Sequence, residues 1–178
     1  MRDDVPEKSS KEMAHVRLPR AIGDAVMAAR INTVLTENRD QLFSGSEWCI
    51  PAIRQTDAVE AALLSARRSS RVIRGLEAIT KTLHNEKRGL DKAGFQTEAN
   101  HPVRTSRIVV VSSDGGNRFY RSLVPVLRDH YPRVLVCRMD VDSSTLGGLL
   151  FGAGAVAKAV MIGHKDAVTR LLLSFVGE

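Results

Sequence analysis

The sequence predicts an α/β fold: a three-layer α-β-α sandwich around a four-stranded mixed sheet, carrying an N-terminal helical extension. Three observations lead there. Short β-branched runs recur from Arg71 onward, as "RVIRG", "RIVVVSS", "RVLVCRM" and "AVAKAVMIG". Between them lie stretches with apolar residues at helical spacing, and strands that alternate with helices call for a sheet held between helical layers. The run at 107–111 is continuously apolar after its arginine, the mark of a central strand covered on both faces.

In chain order, residues 1–17 read as a flexible tail, with acids and no apolar stretch of the kind a secretory signal needs. A helix is predicted from residue 18 to about 42, with Ile22, Val26, Ala29, Val34 and Leu35 on one side and Pro19 in its first turn. "FSGSEWCIPAIRQ" breaks it at Gly45 and Pro51, and Trp48 and Ile50 read as a hydrophobic clip that docks the extension, residues 18–56. The sandwich domain is 57–178. Asp57 reads as the N-cap of a helix whose buried stripe is Val59, Ala62, Leu63 and Ala66. "RVIRG" is a strand ended by Gly75, and "LEAITKTLHN" a helix with Leu76, Ile79, Thr80 and Leu83 along it. Residues 86–106 are polar, contain Gly89, Gly94 and Pro102, and read as a long surface loop. "RIVVVSS" is followed by a "DGGN" turn and by a helix that Pro125 kinks or stops early. A strand "RVLVCRM", a glycine-laden helix "SSTLGGLLFGAG", a strand "AVAKAVMIG" and a closing amphipathic helix "HKDAVTRLLLSFV" complete the domain.

Composition limits the function. The formal charge of +6 suits a polyanionic partner, while the aromatic content of 4% disfavours a row of rings that stacks unpaired bases. Cys49 and Cys137, with no C-x-x-C, read as reduced buried thiols. No apolar run reaches the length of a membrane span. The five histidines have no ligand spacing, no G-x-S-x-G elbow is present, and no catalytic residue, cofactor or metal site is predicted.

The basic cluster around Gly75 is the leading site. Arg67, Arg68, Arg71, Arg74, Lys81, Lys87 and Arg88 surround a strand-to-helix junction at a glycine. The glycine permits close backbone approach, and the helix start offers free N–H groups, so the junction suits a phosphate backbone. The alternative is a solvated basic face. Glu77 is placed to accept a hydrogen bond from a base edge. "SSDGGN" reads as a tight βα turn capped by Asp114 or Asn117, or as a phosphate cradle with no standard spacing. Asp114, Asp129, Asp140 and Asp142 show no metal-site spacing. Met139 and Val141, next to Arg138, read either as core plugs or as an apolar surface for a flipped base or a partner protein.

"RVIRGLEAITKTL", "RIVVVSSD", "LVPVLRDHYPRVLVCRM" and "STLGGLLFGAGAVAKAVMIG" together resemble the ribosomal L-seven-Ae/L-thirty-e superfamily of kink-turn RNA-binding proteins, over roughly residues 57 to 175. In that family a G-x-N-E-x-T-K segment opens the second helix and reads sheared G·A pairs. Here Gly75, Thr80 and Lys81 agree, Glu77 stands in place of the Asn and Ala78 in place of the Glu; Leu146, Gly147 and Gly152 echo a later Leu-Gly and Gly. The degenerate motif, the N-terminal extension and strand ends such as "VLVCR" are similar to the divergent RNase P and RNase MRP subunits of the Pop-three and Rpp-thirty-eight type. The resemblance implies an α-β-α sandwich with no catalysis of its own, a structured RNA such as a kink turn or internal loop as partner, neighbouring protein subunits, and a nuclear or nucleolar location, the alternative being a cytoplasmic or organellar ribosome. Together with the charge cluster it gives an RNA-binding set of Arg71, Arg74, Gly75, Leu76, Glu77, Thr80, Lys81, Arg138, Met139 and Val141. Three functions stay open: a structural RNA-binding subunit of an RNase P/MRP-like particle; a ribosomal, ribosome-assembly or small nucleolar RNP protein; and a small nucleotide-binding α/β enzyme using "SSDGGN".

Overall fold

The computed structural model describes residues 16–92 and 103–177. The elements are α1 (Ala25–Glu37), β1 (Arg39–Gln41), β2 (Cys49–Ile53), α2 (Asp57–Arg68), β3 (Val72–Arg74), α3 (Leu76–Lys92), β4 (Arg107–Val111), α4 (Asn117–Arg121), α5 (Val124–His130), β5 (Val134–Met139), α6 (Ser143–Phe151), β6 (Ala159–Ile162) and α7 (Lys165–Ser174).

The fold is α/β with a mixed sheet, but the sheet has six strands, in the order β1-β2-β5-β4-β6-β3, where four were expected. The four expected strands are the block β5-β4-β6-β3. The other two come from the extension: β1 and β2 form an antiparallel hairpin, and β2 joins β5 in parallel through Ala52 and Ile53. The polar "RDQ" of β1 carries no strand pattern, and Pro51 lacks the N–H that a central strand uses, so both were hidden from periodicity.

The extension is therefore part of the core and does not lie beyond it. Ile31, Leu35, Leu42 and Ile50 are fully buried, and Trp48 nearly so. Helix α1 is shorter than predicted. Asp24 caps it, accepting from the Val26 and Met27 N–H groups, and it ends where β1 must begin. Val26, expected on the buried side, is 71% exposed. Residues 1–15 of the predicted tail lie outside the described residues; Val16 is buried, and the Arg17 carbonyl accepts the Thr105 N–H at 2.8 Å.

Two further expectations are corrected, and the break expected at Pro125 is located. Thr56, not Asp57, is the N-cap of α2, its hydroxyl accepting the Val59 N–H; Asp57 sits in the first turn, where its charge suits the helix dipole. Helix α3 runs on to Lys92, so the first third of the predicted 86–106 loop is helix; residues 93–102 lie outside the described residues. After them Thr105 is buried and Arg104 donates to the Leu18 carbonyl. Pro125 divides the predicted single helix into α4 and α5, sitting in the first turn of α5, where its missing N–H costs nothing.

The strand β4 lies between β5 and β6, and its residues Ile108, Val109, Val110 and Val111 have no exposed surface. Side chains alternate across a strand, so full burial requires helices on both faces. Helix α2 packs on α6 and α7, and α1 on α7; α3 packs on β3 and β6, and α5 on β5. No helix among the described residues is long and apolar enough to cross a membrane. Both cysteines are free; burial pushes the Cys137 thiol far up, so it is inert.

Candidate nucleic-acid interface

The register brings several connections to one end of the sheet. Arg74 lies opposite Val160, Val111 opposite both Ala159 and Arg138, and Ile53 opposite Met139. The carboxyl ends of β2, β3, β4 and β5 thus share an edge with the start of β6, and α3, α4 and α6 all begin there. Backbone bonds join the connections: Gly75 N–H to Ala159 O at 2.9 Å, Ser112 N–H to Lys158 O at 3.0 Å and Ser113 N–H to Val141 O at 2.8 Å. Open α/β sheets bind ligands at this end.

Gly75 sits at φ +89°, in the left-handed region that favours glycine, and its carbonyl accepts the Ile79 N–H that closes the first turn of α3. A glycine offers no capping side chain, so the first N–H groups of α3 are left for solvent or ligand. Arg74 donates to the Val156 carbonyl at 2.7 Å and lies over the Phe151 ring, 4.9 Å from its centroid. Arg67 donates to the Leu150 carbonyl at 3.2 Å and stands over the same ring at 5.3 Å. Two exposed guanidiniums therefore share one aromatic ring at the end of α6, fixed at one edge and solvated at the other. Sequence reasoning missed Phe151; the available signal was an aromatic closing a glycine-laden helix in an aromatic-poor chain. Leu76, Glu77, Thr80 and Lys81, with Ser122, line a shallow groove of about 570 Å³ along the first turns of α3. Leu76 is half-buried; Glu77, Thr80 and Lys81 are exposed.

Arg71 is not part of this group. It lies at the other end of β3, where its carbonyl accepts the Gly163 N–H, and its side chain lines a separate small cavity with Arg170 and His164. The remaining predicted RNA-binding residues are also placed elsewhere. Met139 is fully buried and Val141 is 7% exposed, so both are core residues with almost no surface to offer a base. Arg138 donates to the Leu42 carbonyl at 2.7 Å, reaches Asp40 at 3.4 Å and lies 4.6 Å from the Tyr120 ring centroid. It fastens the β1–β2 hairpin to the sheet.

The acidic side of the same end is spent on structure. Asp114 accepts the Ser143 backbone N–H at 2.9 Å and the Ser143 hydroxyl at 2.7 Å, and Asp142 caps the same helix through the Thr145 N–H. Partial burial alone would raise the Asp114 carboxyl, but its hydrogen bonds outweigh this and hold it below the ordinary carboxylate range. Neither Asp114 nor Asn117 caps α4; Gly116 does, with no side-chain bond. A Cβ on Gly115 would lie 2.6 Å from Phe119 Cδ1, so the first glycine of "DGGN" is held by close packing, while a Cβ on Gly116 would meet nothing within 4 Å. Two carboxylates now occupy the start of α6, which disfavours an anion there. Among the described residues no group of three or more His, Cys, Asp or Glu is arranged to hold a metal ion.

No protein-family model matches the chain, and no curated protein matches it. A solved structure described as "a protein with unknown function from Bacillus halodurans C" is similar: it is 16% identical, covers 70% of this chain and 100% of that chain, and has a TM-score of 0.45. At that level the likeness says nothing of function.

Proposed function

We propose that this chain is a non-catalytic, RNA-binding structural subunit of a ribonucleoprotein, RNase P/MRP-like by preference, and that the Gly75 end of the sheet meets the RNA. The observation that carries the reading is the pairing of Arg67 and Arg74 on Phe151 beside the glycine-led start of α3. Guanidiniums and helix N–H groups both recognise phosphate oxygens, which position a protein on RNA without reading sequence. The half-buried Leu76 suits a ribose or base face, and the exposed Glu77 accepts from a base amino group. The family resemblance over residues 57–175 favours an RNP subunit, of nucleus or nucleolus, over other RNA binders. The ribosomal, ribosome-assembly and small nucleolar variants share the same interface, and RNA captured with the protein and sequenced distinguishes them. "SSDGGN" gives no support to a nucleotide-handling enzyme: Asp114 is committed to Ser143 and Gly115 to packing against Phe119 and Tyr120.

The test is RNA titration at several salt concentrations with the full chain and with Arg74→Ala/Lys81→Ala. The double variant should bind more weakly, with a log–log salt slope flatter by roughly one for each phosphate it no longer neutralises. Affinity and slope both unchanged would remove the Gly75 interface.

A further inference from the structure

The open edge of the sheet has a second basic site. We infer that the cavity between the start of β3 and the first turns of α7 binds a single phosphate group. That the group is a phosphodiester of the same RNA rests on the reading above; the anion pocket itself does not.

Three elements meet there. The Ala66 carbonyl at the end of α2 accepts the Arg71 N–H at 2.9 Å, and the Arg71 carbonyl accepts the Gly163 N–H at 2.9 Å. Val72 opposite Ile162 sets the register, so the chain entering β3 passes beside the chain leaving β6 for α7. The resulting cavity, about 170 Å³, is lined by Arg71, Arg170, His164, Ser65 and Ser69 among others. It is below the size of sites that enclose whole small molecules, so it suits an ion-sized group.

The charge is not neutralised. Among the described residues neither Arg71 nor Arg170 makes an ion pair, whereas Arg107, Arg133 and Arg138 each have a carboxylate partner. Ser65 holds Arg170, accepting from its Nη1 at 3.2 Å. The one acid lining the cavity is Asp166, whose side chain is 66% exposed and lies 3.5 Å from His164 Nδ1. His164 Nδ1 already accepts the Asp166 N–H at 3.2 Å, which fixes the ring. Arg71, Arg170, His164, Ser65 and Ser69 thus line one small space, with one solvated carboxylate against them. A singly charged phosphodiester completes that balance.

Strand β3 is the last in the sheet, and among the described residues no further strand pairs with its outer edge. Arg71 immediately precedes it and Arg74 ends it, three residues on, about 10 Å at strand rise. One RNA strand along this edge meets the Arg74–Phe151 site first and the Arg71–Arg170 pocket next. The sequence cluster that looked like one site is two consecutive backbone grips.

The experiment has two arms on the full chain. In the first, inorganic phosphate is titrated at low salt while the His164 ring resonances are followed by NMR. A saturable shift is expected, abolished in Arg71→Gln/Arg170→Gln and kept in Arg74→Gln/Lys81→Gln. No saturable shift, or one that survives Arg71→Gln/Arg170→Gln, overturns the pocket. In the second, RNA titrations across salt should show Arg71→Gln/Arg170→Gln flattening the log–log slope by one to two, at roughly one per neutralised phosphate, and Arg71→Lys/Arg170→Lys restoring most of it. Both pairs are on the surface, and an unchanged melting temperature separates a weakened grip on the anion from a damaged fold. Phosphate binding without RNA binding in the unaltered chain sinks the RNA reading and leaves the pocket; RNA binding without a phosphate shift does the reverse.

Discussion

Asp114 holds Ser143 by two atoms at once: one carboxylate oxygen accepts its backbone N–H at 2.9 Å, the other its hydroxyl at 2.7 Å. The bond pair ties the turn after β4 to the first residue of α6, and with the Asp142 cap it satisfies N–H groups that a helix start leaves open. The same two carboxylates keep this side of the sheet end negative.

Replacing Asp114 by Ala should cost about 1–2 kcal/mol, as loss of a helix cap does. For a chain of this size that is a fall of several degrees in melting temperature. The pH dependence has a fixed sign. Asp114 and Asp142 are both held below their ordinary values in the folded state, so their contribution is complete above the unfolded carboxylate range and is lost as pH falls through the folded values. Thermal melts of the parent chain and Asp114→Asn should therefore converge in acid and differ at neutral pH. A gap that persists in acid would mean that shape, not charge, holds Ser143.

Glu86 makes a second prediction. It accepts from Arg107 at 3.0 Å and from Arg133 at 2.8 Å, joining α3 to the starts of β4 and β5. Burial would raise its carboxyl, but the bonds from Arg133 and Arg107 prevail and hold it low. Glu86→Ala leaves two part-buried guanidiniums without a carboxylate and should cost about 2–3 kcal/mol. Denaturant unfolding should show a lower midpoint at unchanged slope. A deletion of the polar segment that starts at Glu86 should be as harmful, so the segment cannot be shortened from that end at no cost.

What the sequence revealed follows physical range. The apolar run of β4 and the Val59, Leu63, Ala66 stripe of α2 were legible because each pattern is complete within a few residues. The hairpin was not: Arg39, Asp40 and Gln41 are a strand only because Pro51, Ile50 and Cys49 lie opposite. Glu86 meets partners 21 and 47 residues away, and Phe151 meets Arg67 and Arg74 from another element. The basic cluster was visible as composition, but sequence adjacency hid that an extended strand carries Arg71 and Arg74 to different ends.

Two neighbouring glycines of α6 should respond oppositely to Ala. A Cβ on Gly147 would stand 2.3 Å from the Ala155 carbonyl oxygen, a backbone atom with little room to move. Gly147→Ala should cost about 1–3 kcal/mol by overpacking and displace the 152–156 loop that receives Arg74. A Cβ on Gly148 meets nothing within 4 Å, and in a helix interior Gly148→Ala should stabilise by about 0.5–1 kcal/mol. Paired melting curves check both signs, and RNA titration should weaken for Gly147→Ala alone.

The last prediction concerns a chain that begins at Thr56, without the extension. Such a chain loses β1 and β2, leaving the apolar β5 as an open edge. It also loses Ile31, Leu35, Leu42 and Ile50, each fully buried and worth about 1.5–3 kcal/mol, against a net stability on the order of 5–15 kcal/mol. Arg138 loses its acceptors at Leu42 and Asp40. An unpaired hydrophobic edge is an aggregation template, so the shortened chain should precipitate or elute as large species on gel filtration, without a cooperative melt. A soluble monomer that melts cooperatively would show that the extension is a removable brace. With the extension integral, the proposal that it also docks a protein subunit is tested without removing it, on the outer side of α1, where Val26 is 71% exposed. Val26→Asp should leave the melting temperature and RNA affinity unchanged while reducing incorporation into the native particle; full incorporation would leave RNA as the sole recruiter.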